Sequence, residues 1–381
     1  SVFLKLSRYN KICKKGWRSM KIIADDNMPL VQELFSPYGE ITMLPGRDIT
    51  ADDVQQADVL LVRSVTQVNE SLLGGSKVRF VGSSTIGADH IDQSYLQHKG
   101  VKFANAPGCN ANAVVQYVLS VLSTLRSNWM EQTIGIIGCG AIGGKLYKIL
   151  RALGVECRCY DPFLAAASNP HLVTFEAVLE SDILSLHVPL TDSGFYPTYH
   201  LFNEQVLRNL APNVLLINTS RGAVLDNQSA LRCFSEKSWQ LVLDVWEGEP
   251  DISLGLLKLV DICSPHIAGY SYDGKIKGTQ MIFDAFCSSY GFDTPIPIVR
   301  DEIFELTSSS LAEAVLETFD VKKIDHLMRE SLLKKEARHP QEFDRLRKDC
   351  PQRFEFQHYY LTKNSDELLA KSLSILGFKS A

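Results

Sequence analysis

Residues 134–143 read Ile-Gly-Ile-Ile-Gly-Cys-Gly-Ala-Ile-Gly, and no other stretch restricts the fold of this chain as tightly. An apolar run passes without a break into Gly138-x-Gly140-x-x-Gly143, and an amphipathic segment, Lys145–Leu153, follows. Strand, tight turn and helix in that order open a βαβ unit whose helix N-terminus presents N–H groups and a positive dipole end to a phosphate. Gly138 then permits the turn, Gly140 lets backbone approach a pyrophosphate, and Gly143 lets helix and strand pack closely. The next apolar run ends at Asp161, 18 residues past Gly143. A carboxylate there grips ribose hydroxyls and repels a 2′-phosphate, so NAD is expected rather than NADP.

The rest of the chain has the same texture. Short apolar runs at Lys21–Ala24, Val59–Arg63, Arg79–Gly82 and Val101–Ala104 alternate with amphipathic segments such as Asn27–Tyr38 and Asp92–Lys99. A second series has runs at Thr133–Ile137, Glu156–Tyr160, Ile183–His187, Val214–Asn218, Leu241–Val245 and Asp261–Cys263. Continuous apolar runs separated by helices predict parallel strands covered on both faces. A long helix over Ala111–Ser127 joins the two series, which predicts two doubly wound α/β lobes with a ligand cleft between them. After a helix over Tyr272–Tyr290 and a break at Asp293–Pro297, charge density rises. Helical patterns at Leu311–Phe319, Asp325–Leu333, Glu342–Lys348 and Asp366–Leu376 flank one alternating strand, Arg353–Leu361, as in a separate small α+β domain.

Composition removes several function classes. A net charge of -5 over 381 residues implies no nucleic-acid or anionic-membrane partner. No stretch approaches the roughly 20 apolar residues of a membrane helix; the greasiest, Ala113–Leu122, contains Gln116 and Ser120. Nine cysteines without a CxxC pair read as reduced thiols in a cytoplasmic protein, with no metal set. The first 19 residues carry Lys5, Arg8, Lys11, Lys14, Lys15 and Arg18 but no acid. They lack the apolar core of a signal peptide, so an added leader or upstream extension outside the fold is expected.

Three stretches fall at the C-terminal ends of strands in the second series, the edge where open α/β sheets do chemistry. They are Asn218-Thr219-Ser220-Arg221-Gly222, Asp244-Val245-Trp246-Glu247-Gly248-Glu249-Pro250 and Ser264-Pro265-His266-Ile267-Ala268-Gly269. Removing hydride from a 2-hydroxy acid needs a base, a cation for the carboxylate and a group that tunes the base. His266, Arg221 and Glu249 supply those types. Each alone has an ordinary explanation: a surface charge, a turn carboxylate, a capping histidine. Three at successive strand ends beside a nucleotide fingerprint reverse that judgement.

These motifs, in this order, resemble the D-2-hydroxyacid dehydrogenase family. The stretches Met20–Pro29, Val62–Thr66, Ala106–Asn110 and His266–Tyr270 are similar to those of its members that oxidise a phosphorylated sugar acid. The resemblance implies a substrate lobe from 20–112 and 271–293, an NAD-binding lobe over 113–270, and a dimerisation domain over 294–381. It implies that His266 takes the hydroxyl proton, Glu249 fixes its tautomer, and Arg221 binds the carboxylate. It places Gly138, Gly140, Ala141, Ile142, Gly143, Asp161, Val188, Thr219, Ser220, Asp244 and Gly269 around NAD, with Asp244 toward the nicotinamide amide. It assigns the substrate to Arg63, Ser64, Thr85 and Tyr270, the phosphate falling to Arg63. Arg347, in the basic segment Phe343–Lys348, is a further candidate for reaching a partner subunit's pocket in a homodimer. Two rivals share the fold: 3-phosphoglycerate dehydrogenase, and an NAD-sensing corepressor-like module that needs no catalytic set.

Overall fold

The computed structural model describes residues 19–165, 169–234, 238–293, 302–334, 338–361 and 367–379. The basic extension up to residue 18, and the break beyond Asp293, lie outside the described residues. The chain forms two compact units, Ser1–Asn110 with Asp273–Arg300, and Ala111–Tyr272 with Asp301–Ala381.

The first unit is a parallel sheet of β1 (Met20–Asp25), β2 (Gly39–Leu44), β3 (Val59–Val62), β4 (Phe80–Ser83) and β5 (Lys102–Asn105), in the order β2-β1-β3-β4-β5. Every residue of β3 and β4 is buried, as a sheet covered on both faces requires. The helix Tyr272–Tyr290 returns the chain to this sheet because Ile282, Phe283 and Phe286 have nowhere else to be buried. Phe283 meets Phe35 at 5.0 Å between ring centroids, and Phe286 meets Phe80 at 5.7 Å. Each such side chain contributes about 1.5–3 kcal/mol on burial. A Cβ on Gly82 would stand 2.3 Å from the Ile282 side chain, so that position admits only glycine at this packing distance.

The second unit holds six parallel strands: β6 (Ile134–Ile137), β7 (Cys157–Tyr160), β8 (Ile183–Leu186), β9 (Leu215–Asn218), β10 (Gln240–Leu243) and β11 (Ile262–Cys263). Their order is β11-β10-β9-β8-β6-β7. The chain steps outward from β6 to β7 and then crosses back to β8, which makes the ends of β6 and β8 the topological switch point. Both lobes are therefore the doubly wound parallel sheets that the apolar runs predict. Among the described residues no helix is long and apolar enough to cross a membrane, and the eight described cysteines are all free.

The C-terminal domain is small and α+β. Its strands β12 (Phe304–Leu306) and β13 (Tyr359–Leu361) pair in parallel, with helices at Leu311–Thr318, Val321–Leu332, His339–Lys348 and Glu367–Leu376. It does not keep a core to itself. Leu306, Ala314, Val315, Leu373 and Phe378 share one core with Val118 and Leu122 of the helix Ala111–Leu125. The polar interruptions of that helix explain the junction. Gln116, fully buried, donates to Thr318 Oγ1 (3.0 Å) and to the Phe354 carbonyl (3.1 Å), and Ser120 donates to the Phe319 carbonyl (2.8 Å). Arg329 donates to the carbonyls of Leu257 and Val260 while paired with Asp325, fixing a second seam.

Four elements differ from expectation. Strand β2 was not anticipated: its Glu40 and Thr42 interrupt the apolar run, as an edge strand tolerates. Nor was β12, whose first two residues are exposed. The helix expected over Asn27–Tyr38 spans only Val31–Phe35, because Leu30 sits at φ 63° in the left-handed region. The strand expected over Arg353–Leu361 is confined to Tyr359–Leu361, since Arg353 and Glu355 turn inward to bond and Phe356–His358 forms a 3-10 turn.

Candidate active site

The glycine-rich turn sits at the switch point. Gly138 has φ +88°, and a Cβ there would lie 2.7 Å from the His187 carbonyl oxygen and 2.8 Å from Val188, so β6 and β8 meet only through glycine. A Cβ on Gly143 would strike the Gly138 carbonyl oxygen at 1.9 Å, while one on Gly140 meets nothing within 4 Å. Two glycines thus close the turn and one faces open space, the distribution a pyrophosphate needs. The helix Gly143–Ala152 starts from Ile142 with no side-chain cap, which leaves its dipole end for a ligand anion. Asp161, directly after β7, accepts from the Cys139 amide (2.9 Å) and the Phe163 amide (3.1 Å). Its carboxylate is thereby tied to the turn it is expected to serve. These residues fit a dinucleotide.

Next along the sheet edge, Asn218 folds the turn after β9: it accepts from the Ser220 amide (3.0 Å) and hydroxyl (2.7 Å) and donates to the Arg221 carbonyl (3.0 Å). Gly222 then lies so near β10's end that a Cβ would be 1.9 Å from the Trp246 carbonyl carbon. That approach holds the Arg221 turn against the segment carrying Glu249. Asp244, 1% exposed, accepts from Ser264 Oγ (2.6 Å) and from the amides of Ile267 (2.7 Å) and Ala268 (3.0 Å). In the structure it clamps the His266 loop.

His266 stands at φ 57°, an uncommon conformation for a residue other than glycine. Its amide donates to the Asp244 carbonyl (2.7 Å). Its Nδ1 bonds Glu249 Oε1, and Nε2 has no partner among the described residues. Glu249 Oε2 accepts from the Trp246 amide (3.2 Å). Burial pushes the Glu249 carboxyl up, but the charges of His266 and Arg347 outweigh it and hold the group below the ordinary glutamate range. An ionised Glu249 fixes the proton on Nδ1 and leaves Nε2 as the acceptor.

The C-terminal domain supports this loop, which the sequence reading missed. Arg353, 5% exposed, donates to the carbonyls of Tyr270 (2.9 Å), Ala268 (2.6 Å) and Ile267 (3.4 Å), and its guanidinium lies 4.2 Å from the Phe319 ring centre. Glu355 accepts from Ser271 Oγ (2.8 Å) and from Asn112. The available signal was opposite charges at positions 353 and 355 between aromatic residues. Arg347, expected toward a partner subunit, bonds Tyr270 Oη of its own chain at 3.2 Å.

In the first unit, Ser83 Oγ lies 2.9 Å from His90 Nε2 and 2.8 Å from Thr85 Oγ1, and Thr85 donates to the Gly87 carbonyl (2.9 Å). Ser64 is exposed; Arg63 is half-buried and reaches the Asn27 carbonyl at 3.5 Å. Beside it Asp25 is buried, which raises its carboxyl despite the opposing Asn27 amide and Arg63 charge. One further group was invisible in the sequence: His200, Asp226 and Glu247 bring three potential metal-ligand atoms within 4.8 Å of one another. All three are engaged already, His200 Nε2 with Glu247 Oε1 (2.7 Å) and Asp226 with Ser229.

Comparison with known proteins settles the lineage. Residues 120–268 match the NAD-binding domain of the D-isomer specific 2-hydroxyacid dehydrogenases, and residues 301–377 match a domain of unknown function. The erythronate-4-phosphate dehydrogenase of Cellvibrio japonicus is 47% identical over 376 residues, covering 94% of this chain and all of that one. That of Escherichia coli O1:K1 is 42% identical over 380 residues, with 95% and 98% covered. The chain belongs to the erythronate-4-phosphate dehydrogenase family. Its wider family is visible in the fold, shared with an NAD-bound 3-phosphoglycerate dehydrogenase of Entamoeba histolytica. That structure is 20% identical with a TM-score of 0.63, over 74% of this chain and 99% of that one. The D-lactate dehydrogenase of Aquifex aeolicus, solved with NAD and lactic acid, is 22% identical with a TM-score of 0.61, over 71% and 96%. The nucleotide lobe of this family member is an NAD-binding domain, and the chain is an NAD-dependent oxidoreductase.

Proposed function

We propose that this protein oxidises 4-phospho-D-erythronate to (R)-3-hydroxy-2-oxo-4-phosphooxybutanoate, in the de novo route to pyridoxal phosphate. The observation that carries the reading is the His266–Glu249 pair: one ring nitrogen fixed by a half-buried carboxylate, the other left as a base at the sheet edge. Nε2 of His266 takes the C2 hydroxyl proton as C2 loses its hydride. NAD supplies the hydride acceptor. Glu249 stays ionised and stabilises the imidazolium that forms. Arg221 binds the C1 carboxylate and polarises the new carbonyl. Asp161 holds the adenosine ribose, the Gly138–Gly143 turn the pyrophosphate, and Val188, Thr219, Ser220, Asp244 and Gly269 the remainder of the cofactor. Arg63, Ser64, Thr85 and Tyr270 hold the substrate.

The C-terminal domain also serves a symmetric homodimer, and the enzyme acts in the cytoplasm. The decisive assay follows NADH formation with 4-phosphoerythronate, erythronate and 3-phosphoglycerate. The reading requires kcat/KM to be highest for 4-phosphoerythronate. A preference for 3-phosphoglycerate, or indifference to the phosphate, overturns it.

A further inference from the structure

We propose that Arg347, carried by the C-terminal domain, recognises the anionic group at the far end of the substrate and so sets specificity for a phosphorylated acid. The inference rests on the reaction proposed above. It gives a role in the active site to the domain whose family model carries no function.

Arg347 lies on the helix His339–Lys348 beside two other cations with a different fate. Arg345 pairs with Glu342 and Asp349, and Lys348 is exposed. Arg347 instead turns inward. Its Nη2 donates to Tyr270 Oη at 3.2 Å, and its guanidinium carbon lies 5.9 Å from the Tyr270 ring centre, four residues past His266. Its charge reaches the catalytic pair, since it helps to hold the Glu249 carboxyl low. Its Nε is buried with no hydrogen-bond partner among the described residues. The guanidinium is half-buried, and against desolvation Tyr270, Glu249 and Asp344 favour its charge, so a cation is held ready for an anion.

The substrate offers two anions at opposite ends of four carbons. Arg221 takes the carboxylate next to the reacting carbon. The other end is a phosphate carrying about -1.5 to -2 charges at neutral pH, and Arg347 takes it in addition to Arg63, to which the resemblance assigns it. A planar fork of N–H donors matches its oxygens. Tyr270 then acts as a support that holds Nη2 and aims Arg347, leaving Nη1, which is not among the buried unpaired atoms, for the ligand.

The alternative is that Arg347 only props Tyr270, and the two roles separate kinetically. Arg347→Gln should lower kcat/KM for 4-phosphoerythronate about ten- to hundredfold, the loss of one or two charge-assisted bonds. Erythronate should change less than about threefold, and Arg347→Lys should fall between, keeping the charge without the fork. Melting temperature and NADH affinity report whether the variants are folded. Equal losses on both substrates make Arg347 a structural prop and overturn the inference. A second arm needs no turnover: calorimetry of the NAD-loaded protein with inorganic phosphate. The wild type should bind it at least tenfold more tightly than Arg347→Gln. If the wild type fails to oxidise 4-phosphoerythronate yet phosphate binding depends on Arg347, the proposed reaction falls and this site stands. A wild type with neither phosphate preference nor phosphate affinity overturns the site.

Discussion

Two histidine–carboxylate pairs use glutamates two residues apart, and only one of them leaves a ring nitrogen without a partner among the described residues. His266 meets Glu249 and His200 meets Glu247, and both histidines occupy the left-handed region, at φ 57° and 51°. Pair geometry does not tell them apart; the second ring nitrogen does. His200 turns Nε2 to Glu247 and Nδ1 toward Asp226 at 4.0 Å, and its ring stacks on Tyr199 at 4.0 Å between centroids. Both of its nitrogens face carboxylates, which makes it a clamp between three segments. His266 commits only Nδ1, and its loop is held by Asp244 and Arg353 rather than by its own ring.

The largest effect that tests this contrast is on turnover. His266→Asn should reduce kcat about 10²–10⁴-fold, the usual contribution of a positioned acid–base group, while NADH binding is kept. His200→Asn should leave kcat within a few-fold and lower the melting temperature instead. Steady-state kinetics and thermal melts on both variants decide it, and reversed outcomes would exchange the two roles.

Glu249→Gln comes next. It leaves a hydrogen-bonding group but removes the charge that stabilises the imidazolium, so kcat should fall by roughly tenfold or more. Glu247→Gln should spare kcat, and parallel losses in the two variants would erase the distinction.

A third histidine sharpens the comparison from the other side. His187 has hydroxyl partners, Ser185 at 2.9 Å and Thr219 at 3.4 Å, and burial pushes its pKa down from 6.5 to about 3. The folded state resists protonation that the unfolded state accepts. His187 therefore stabilises above pH 6.5, and that contribution is lost as pH falls toward 3. In urea melts between pH 7 and 4, His187→Gln should flatten the decline in stability. An unchanged slope would mean that His187 titrates normally.

The smallest effect lies at the C-terminal seam. Gln116→Leu removes two bonds and strands the Phe354 carbonyl, so stability should drop by about 1–3 kcal/mol with little change in kcat. Denaturant unfolding measures it.

Much of this was legible in the residues. Strands of the second unit read as apolar runs because both faces are buried, and the glycine turn is legible because Gly138 and Gly143 have no room for a side chain. The meeting of His266 with Glu249 was legible because both follow strands at one sheet edge; the catalytic roles of these two and of Arg221 belong to the proposal. The His200–Asp226–Glu247 group was not, since its members lie on three segments that only the fold assembles. The pattern predicts Arg353 in a strand and does not foresee the Arg347–Tyr270 bond, because local pattern does not say which inward charge has a carbonyl or a tyrosine waiting. Gln116 and Ser120 stand out as interruptions of a greasy helix, but the domain they bind lies some 200 residues on.

The central claim is that C2 hydride passes directly to NAD while His266 takes the hydroxyl proton. A single turnover with 4-phosphoerythronate deuterated at C2 tests it most directly. The account predicts deuterium in the NADH formed by the wild type, with a rate that collapses in His266→Asn. Deuterium released to solvent, or an undiminished rate in the variant, would contradict it.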